Sequence, residues 1–314
     1  MQQNALKELH KLVRGKILCN IPLSRYTSLR VGGPAEIMIY PLNIMELQKL
    51  INFSRTHKVP YFILGRGTNL LIKDGGVRGI VIKLSRGFKK IQVVETLRNH
   101  TRLLVESGVS LRRLLNFSAE KGLSGLEFLS GIPGSMGGAL WMNSGAYGRQ
   151  MQDVTESLTL MTPKAEVVEK KRNQLNFDYR QLRLPTGTII MNALIRTQQE
   201  NPKKITAEIE KNKKRRSKNQ PLHLPSAGSV FKNPPGKSAG QLVEKAGLKG
   251  FQVGEAKISE KHANFIINRG NATAEDILSL MKIVHNRVYQ VTGIRLESEI
   301  KIAGESERPS SHRS

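Results

Sequence analysis

Ser229 lies in QPLHLPSAGSVFKNPPG, residues 220–236, where Pro221, Pro225, Pro234 and Pro235 fence a segment that reads as a non-helical loop. Lys232 and Asn233 follow closely. These are polar groups without a cysteine or an obvious metal cluster, and a lone serine in such a turn by default bonds its own loop. Further on, IRLESEIKI alternates. Period-two geometry would put Ile294, Leu296, Ile300 and Ile302 on one face of a strand and Glu297, Glu299 and Lys301 on the other. The histidines are scattered, no GxSxG elbow is present, and no cysteine cluster with metal-ligand spacing occurs.

Two glycine-rich stretches supply a different chemistry. LSGIPGSMGGALWMNSGAYG, residues 129–148, holds six glycines in twenty residues, and GRGTNLLIKDGGVRG, residues 65–79, holds five in fifteen. Main-chain N–H groups of such turns form concave nests that hold anions, so a diphosphate-bearing cofactor is the natural occupant. Ile132, Met136, Leu140 and Trp141 set the longer stretch apart from a flexible linker. Neither common phosphate motif is met. Leu70 replaces the third glycine of a Rossmann fingerprint, and Phe231 stands where a Walker A before Gly236-Lys237-Ser238 would begin.

The elements that must position these groups follow from periodicity. Asn43, with Glu46 three residues on, caps a helix with the buried stripe Ile44, Leu47, Leu50 and Ile51, ending near His57. Ser110 caps another, carrying Leu111, Leu114 and Leu115 towards Gly122, and Ser238 caps one that runs to about Ala246. Thr273 and Asp276 form a capping box for a helix ending at Gly293. A further helix over about 205–218 contains KNKKRRSK. Strands are expected at 36–40, 59–64, 81–84, 91–94, 103–105, 157–161, 189–196 and 264–267. Mixed elements without strict βαβ alternation give an α+β fold. The expected divisions are an N-terminal extension over 1–20, a first domain over 21–200 in subdomains of about 21–84 and 85–200, a second over 201–303, and a disordered tail over 304–314.

Composition narrows the partners. At 314 residues the chain is long enough for two or three domains. It has no run of ~18 apolar residues to span a membrane and no apolar signal segment. With the single Cys19 there is no internal disulfide, and a cytoplasmic protein is expected. The net charge of +25 would suit nucleic acid, an anionic membrane surface or an anionic substrate. No aromatic interleaves residues 211–218, so nucleic-acid binding is expected to be non-specific if it occurs.

GRGTNLLI, SGIPGSMGGALWMNSGAYG, FDYR, PSAGSVFKNP, AGQLVEKAGLKG, HANFIIN and LESE occur in the order seen in the UDP-N-acetylenolpyruvoylglucosamine reductases. Over about residues 20–302 the chain resembles the shorter, type II form of that family. The resemblance implies the two-subdomain FAD-binding fold of the p-cresol methylhydroxylase and vanillyl-alcohol oxidase type, followed by a C-terminal α+β substrate-binding domain. It implies an FAD enzyme, reduced by NADPH, that converts UDP-N-acetylglucosamine enolpyruvate to UDP-N-acetylmuramate for the cell wall, acting as a monomer. FAD would be held by Gly65, Arg66, Gly67, Thr68, Asn69 and Leu70, and by Ser130, Gly131, Ile132, Pro133, Gly134, Gly137, Gly138, Asn143, Gly145 and Ala146. Ser229 matches the family's proton donor, and Arg180 and Glu299 match the positions that steady an enolate, with Glu297 as the local rival of Glu299. Tyr147, Lys232, Asn233, Lys301 and one of Arg216 or Lys218 would meet the substrate's negative charges. One departure stands out, because Arg180 is followed by Gln181-Leu182 where the family usually has a residue and then serine. Another flavin oxidoreductase of the same fold is the alternative enzyme, and a basic nucleic-acid-binding protein the alternative from another class.

Overall fold

The computed structural model describes residues 3–306. The chain forms two compact units, each assembled from stretches distant in sequence. The first takes the chain up to Cys19, Ile37–Gly65 and Gly79–Arg216, and the second takes Asn20–Glu36, Arg66–Arg78 and the chain from Ser217 onward. This differs from a contiguous division at residue 200: two stretches inside 21–200 join the C-terminal unit, and 201–216 stays with the first.

The first unit contains helices α1 (Gln3–Leu12), α2 (Ile44–Thr56), α3 (Leu111–Glu120), α4 (Met136–Trp141) and most of α5 (Pro202–Asn219). Its main sheet is antiparallel in the order Val167–Lys171, Thr155–Met161, Ile189–Gln199, Thr101–Glu106, Ile91–Thr96, with Leu123–Ser124 paired to the end of the long strand. Successive side chains of a strand face opposite ways, and Ile189–Gln199 uses both faces. Ile189 and Met191 enter a core with Leu47, Leu50, Ile51, Ile80 and Ile82. Ile190, Ala193 and Ile195 enter a second with Leu111, Leu114 and Leu115 of α3, Leu140 of α4, and Ile205 and Ile209 of α5. The strand Tyr61–Ile63 runs parallel to Val77–Ile82 in register Tyr61↔Ile80.

Cap chemistry explains where the helices begin. The side chain of Asn43 accepts from Glu46 N–H, and that of Ser110 accepts from Arg113 N–H. The Asn43 box is only half made, because the Glu46 carboxylate accepts from Arg14 N–H and Leu42 N–H instead. Ile44, expected in the buried stripe, is exposed at the first turn of α2.

The second unit contains α6 (Ala239–Lys245), capped by Ser238, and α7 (Ala274–Thr292). The complete Thr273–Asp276 box opens α7, and left-handed Gly293 closes it. Both helices pack on an antiparallel sheet ordered Ser226–Ser229, Phe265–Asn268, Ala256–Ile258, Gln252–Val253. The inserted stretches complete this unit. Leu29, Val31 and Leu71 join its core, and Leu70–Ile72 pairs in parallel with Lys301–Ala303, Lys301 opposite Leu70.

Two expectations near the C-terminus are corrected. Only Lys301–Ala303 of the segment 294–302 is a strand, and Ile302 is 42% exposed rather than sharing a buried face with Leu296 and Ile300. The preceding residues pair with the Ser229 loop instead, through a bridge between Ser298 and Phe231. Residues 304–306 are not a loose tail, since Glu305 exchanges backbone bonds with Gly75 and Gly76 and ion-pairs with Arg78 at 3.1 Å. The rest of that expectation, residues 307–314, lies outside the described residues.

Candidate active site

In the first unit the glycine-rich stretch 129–148 is a built cradle. Its centre is the short helix α4, which Met136 N–H and Gly137 N–H anchor by donating to Val109 O and Ser107 O. The glycines divide by what a side chain would meet. At Gly137 and Gly145 it would collide with neighbouring protein, so these serve packing. At Gly65 and Gly138 it would meet only the Ser135 hydroxyl, at 2.9 and 3.5 Å, and Gly131, Pro133 and Gly138 are exposed. The buried Ser107 Oγ and Asn192 Oδ1 have no hydrogen-bond partner, a costly arrangement in an interior. The open backbone at Gly65 and Gly138, with the unsatisfied Ser107 hydroxyl beside Gly137, fits a polar cofactor that approaches the backbone closely.

Some expected cofactor residues act from behind. The Ser130 hydroxyl donates to Glu127 O at 2.6 Å. Asn143 is fully buried: its Nδ2 donates to Gln150 Oε1 and Asp178 O, both at 3.0 Å, and its Oδ1 accepts from Gln152 N–H. Ile132 N–H donates to Leu129 O, the Gly134 carbonyl accepts from Leu111 N–H, and Ala146 pairs with Arg149. Lys83, which sequence reasoning passed over, is buried and donates from Nζ to the Gly65 carbonyl at 2.6 Å, putting a cation under the first loop. A single lysine closing an apolar strand carries no signal of this.

Arg180 and Tyr147 are held beside the cradle. Asn143, Tyr147 and Arg180 all take left-handed backbone angles, φ 42°, 56° and 58°, and strain of this kind in non-glycine residues gathers at functional sites. Arg180 sits in the turn between the paired strands Asn176–Asp178 and Gln181–Arg183, and its Nη1 donates to Gly145 O at 3.1 Å. The Tyr147 hydroxyl donates to Asn212 O of α5, and the Arg215 guanidinium stacks 5.2 Å from its ring. Arg216 lies across Gly131, its Cδ 2.8 Å from where a Cβ would sit, whereas Lys218 is exposed at the far end of α5.

In the second unit Arg66 is exposed, Gly67 and Leu70 are buried, and Thr68 and Asn69 lie between these extremes. Ser229 is the last residue of its strand, opposite Phe265. Beyond it Val230 O accepts from Glu299 N–H at 2.7 Å, and Lys232 N–H donates to Glu297 O at 2.8 Å. The serine loop and the Glu299 segment are thus joined main chain to main chain. Asn69 ties the first glycine-rich loop to the same place, donating from Nδ2 to Glu299 O at 3.2 Å and accepting Lys301 N–H at 3.1 Å. The two glutamates separate cleanly. Glu297 is 76% exposed and pairs with Lys232 at 3.1 Å, while Glu299 is half-buried. Lys301 has its pKa lowered by burial and by the neighbouring Lys232, a penalty that Glu299 only partly offsets. Two lysines repelling each other in a half-buried place are suited to an anionic ligand. Asn233 does not join them through Oδ1, which accepts Ala239 N–H at the start of α6.

Among the described residues, no group of three or more His, Cys, Asp or Glu could hold a metal, and no helix is long and apolar enough to cross a membrane. Residues 35–170 match the family described as an FAD binding domain, and residues 220–303 match the C-terminal domain of UDP-N-acetylenolpyruvoylglucosamine reductase. The UDP-N-acetylenolpyruvoylglucosamine reductase of Syntrophus aciditrophicus is 42% identical over 299 residues, covering 95% of this chain and 96% of its own. That of Caldanaerobacter subterraneus is 43% identical over 305 residues, covering 96% and 97%. The crystal structure of the Thermus caldophilus reductase superposes with a TM-score of 0.78 at 35% identity, over 92% of this chain and 98% of that one. A VAO-type flavoprotein from Myceliophthora thermophila, at 11% identity and a TM-score of 0.50, shares the fold over 63% of this chain. With cradle, serine loop and relatives in agreement over nearly the whole length, the chain belongs to the UDP-N-acetylenolpyruvoylglucosamine reductase family.

Proposed function

We infer that the protein is the FAD-dependent oxidoreductase that uses NADPH to reduce UDP-N-acetylglucosamine enolpyruvate to UDP-N-acetylmuramate in peptidoglycan precursor synthesis. The main chain around Gly65, Gly131 and Gly138 would hold FAD, which would supply two-electron hydride chemistry when bound. Adding hydride to the terminal carbon of an enolpyruvyl group loads negative charge onto the carboxylate as an enolate, and the adjacent carbon then needs a proton. Ser229 Oγ gives that proton. Serine is a weak acid, so the step depends on rigid placement and on stabilisation of the enolate.

Arg180 answers the enolate with a permanent cation. In its protonated form Glu299 donates to the same enolate. Lys232, Lys301, Tyr147 and Arg216 supply the groups for the substrate's negative charges. The contact of Arg216 with Gly131 favours it over exposed Lys218 for that role. A UDP-sugar and NADPH are cytoplasmic metabolites, which argues for that compartment and links the enzyme to cell shape and division through the cell wall.

The observation that carries this reading is the 2.7 Å bond from Glu299 N–H to Val230 O, which ties the proposed acid to the segment bearing its partner carboxyl. The test is anaerobic. Purified protein reduced by NADPH is mixed with the enolpyruvyl sugar while flavin absorbance is followed. Wild type is expected to reoxidise and form UDP-N-acetylmuramate. Ser229→Ala is expected to keep its FAD and its reduction by NADPH, yet fail to reoxidise. Failure of the wild type to reoxidise, or full turnover by Ser229→Ala, overturns the assignment.

A further inference from the structure

We propose that Asn264 is a positioning residue for the proton-donating serine; the proposal rests on the function inferred above. Asn264 is almost fully buried and lies one residue before the strand Phe265–Asn268 that pairs with Ser226–Ser229. The paired register of these strands ends at Ser229 and Phe265, with one further backbone bond after it. Past that point the Asn264 side chain takes over as a rung of the sheet. Its Oδ1 accepts Phe231 N–H at 2.9 Å, its Nδ2 donates to Phe231 O at 2.8 Å, and its own carbonyl accepts Val230 N–H at 2.9 Å.

Residues 230–232 are consequently held from both sides. Asn264 satisfies them on one, and the Glu297–Glu299 segment satisfies them on the other through Val230 O and Lys232 N–H. Only a side chain with a donor and an acceptor in one plane can imitate a peptide unit in this way. Phe231 is itself buried, so losing the amide would strand its N–H and C=O away from water and force the segment to move. Ser229 precedes that segment, Lys232 ends it, and Glu299 hangs from it. A shift here displaces the donated proton relative to its target without touching the glycine cradle.

The test uses FAD-loaded full-length enzyme with Asn264→Ala, and with Asn264→Asp as a variant that keeps the acceptor for Phe231 N–H but removes the donor to Phe231 O. Ile277→Ala, in the core of the same unit, controls for general loss of stability. Flavin reduction by NADPH and reoxidation by the enolpyruvyl sugar are measured separately. Reduction is expected to stay within about twofold of wild type in all three. Misplacement of about 1 Å can cost ~10²-fold in rate, and a loss of that order is expected in reoxidation for Asn264→Ala. Asn264→Asp should lie between, Ile277→Ala should match wild type, and the solvent deuterium isotope effect on reoxidation should rise in the Asn264 variants alone. If the Asn264 variants reoxidise as Ile277→Ala does, or if their isotope effect is unchanged, the proposal is overturned. If Asn264→Ala does not fold, Asn264→Asp decides by the same two readings. Wild type that does not reoxidise with this sugar would refute the underlying function instead.

Discussion

His262 shows how one residue's protonation reaches the site. Its Nδ1 accepts Asn264 N–H at 3.2 Å and its ring packs edge-on against Phe265, so the ring must be neutral at that nitrogen to hold the residue that holds Phe231. Burial lowers its pKa below the ordinary 6.5, with Glu244 opposing and Lys249 reinforcing the shift. A histidine whose folded pKa is depressed binds fewer protons folded than unfolded, so its contribution to stability is complete above the unfolded value and is lost as pH falls through it towards the folded one. Denaturant titrations of wild type and His262→Gln between about pH 7.5 and 5 should therefore show the wild-type advantage shrinking on acidification. A constant difference across that range would exclude this role for the ring.

At the scale of elements, the cradle and the helix caps respond differently to substitution. Gly131 has φ 71° and lies under Arg216, so Gly131→Ala combines a left-handed alanine, a strain of ~1–2 kcal/mol, with a displaced arginine. It should lower the melting temperature and also raise KM for the UDP-sugar. Asn43→Ala removes a cap that bonds Glu46 N–H, a partner outside both glycine stretches, costing ~1 kcal/mol with KM unchanged. Melting curves and steady-state kinetics on the two variants separate the cases. Such caps were legible in the sequence because a cap is a local event: Asn43, Ser110, Ser238 and Thr273 each bond a backbone N–H three residues on. The glycine stretches were legible for the same reason. The alternation in IRLESEIKI misled, because its residues answer to the Ser229 loop rather than to a strand of their own. Lys83, Asn264 and the internal role of Asn143 were invisible, since their partners lie 18, 33 and up to 35 residues away.

For the molecule as a whole, 50 cations face 25 acids, and the ion pairs present are mostly exposed ones such as Lys204–Glu200 and Lys211–Glu208, each worth little. Self-repulsion of this size is screened by salt. Raising ionic strength from about 0.05 to 0.5 M should increase the melting temperature while lowering kcat/KM for the UDP-sugar, because the same screening weakens attraction of an anionic substrate. If both quantities move together, the excess charge is not acting in this way. The division into units was not legible, because Leu29, Val31 and Leu71 are ordinary apolar residues whose core partners come from the last third of the chain. The parallel pairing of Leu70–Ile72 with Lys301–Ala303 therefore bears on synthesis as well as stability. On the ribosome, the early strand emerges more than two hundred residues before its partner and waits as an open edge throughout translation. A nascent chain cut short by a few dozen residues would lose the seam that closes the second unit, and that unclosed edge would be a seed for aggregation.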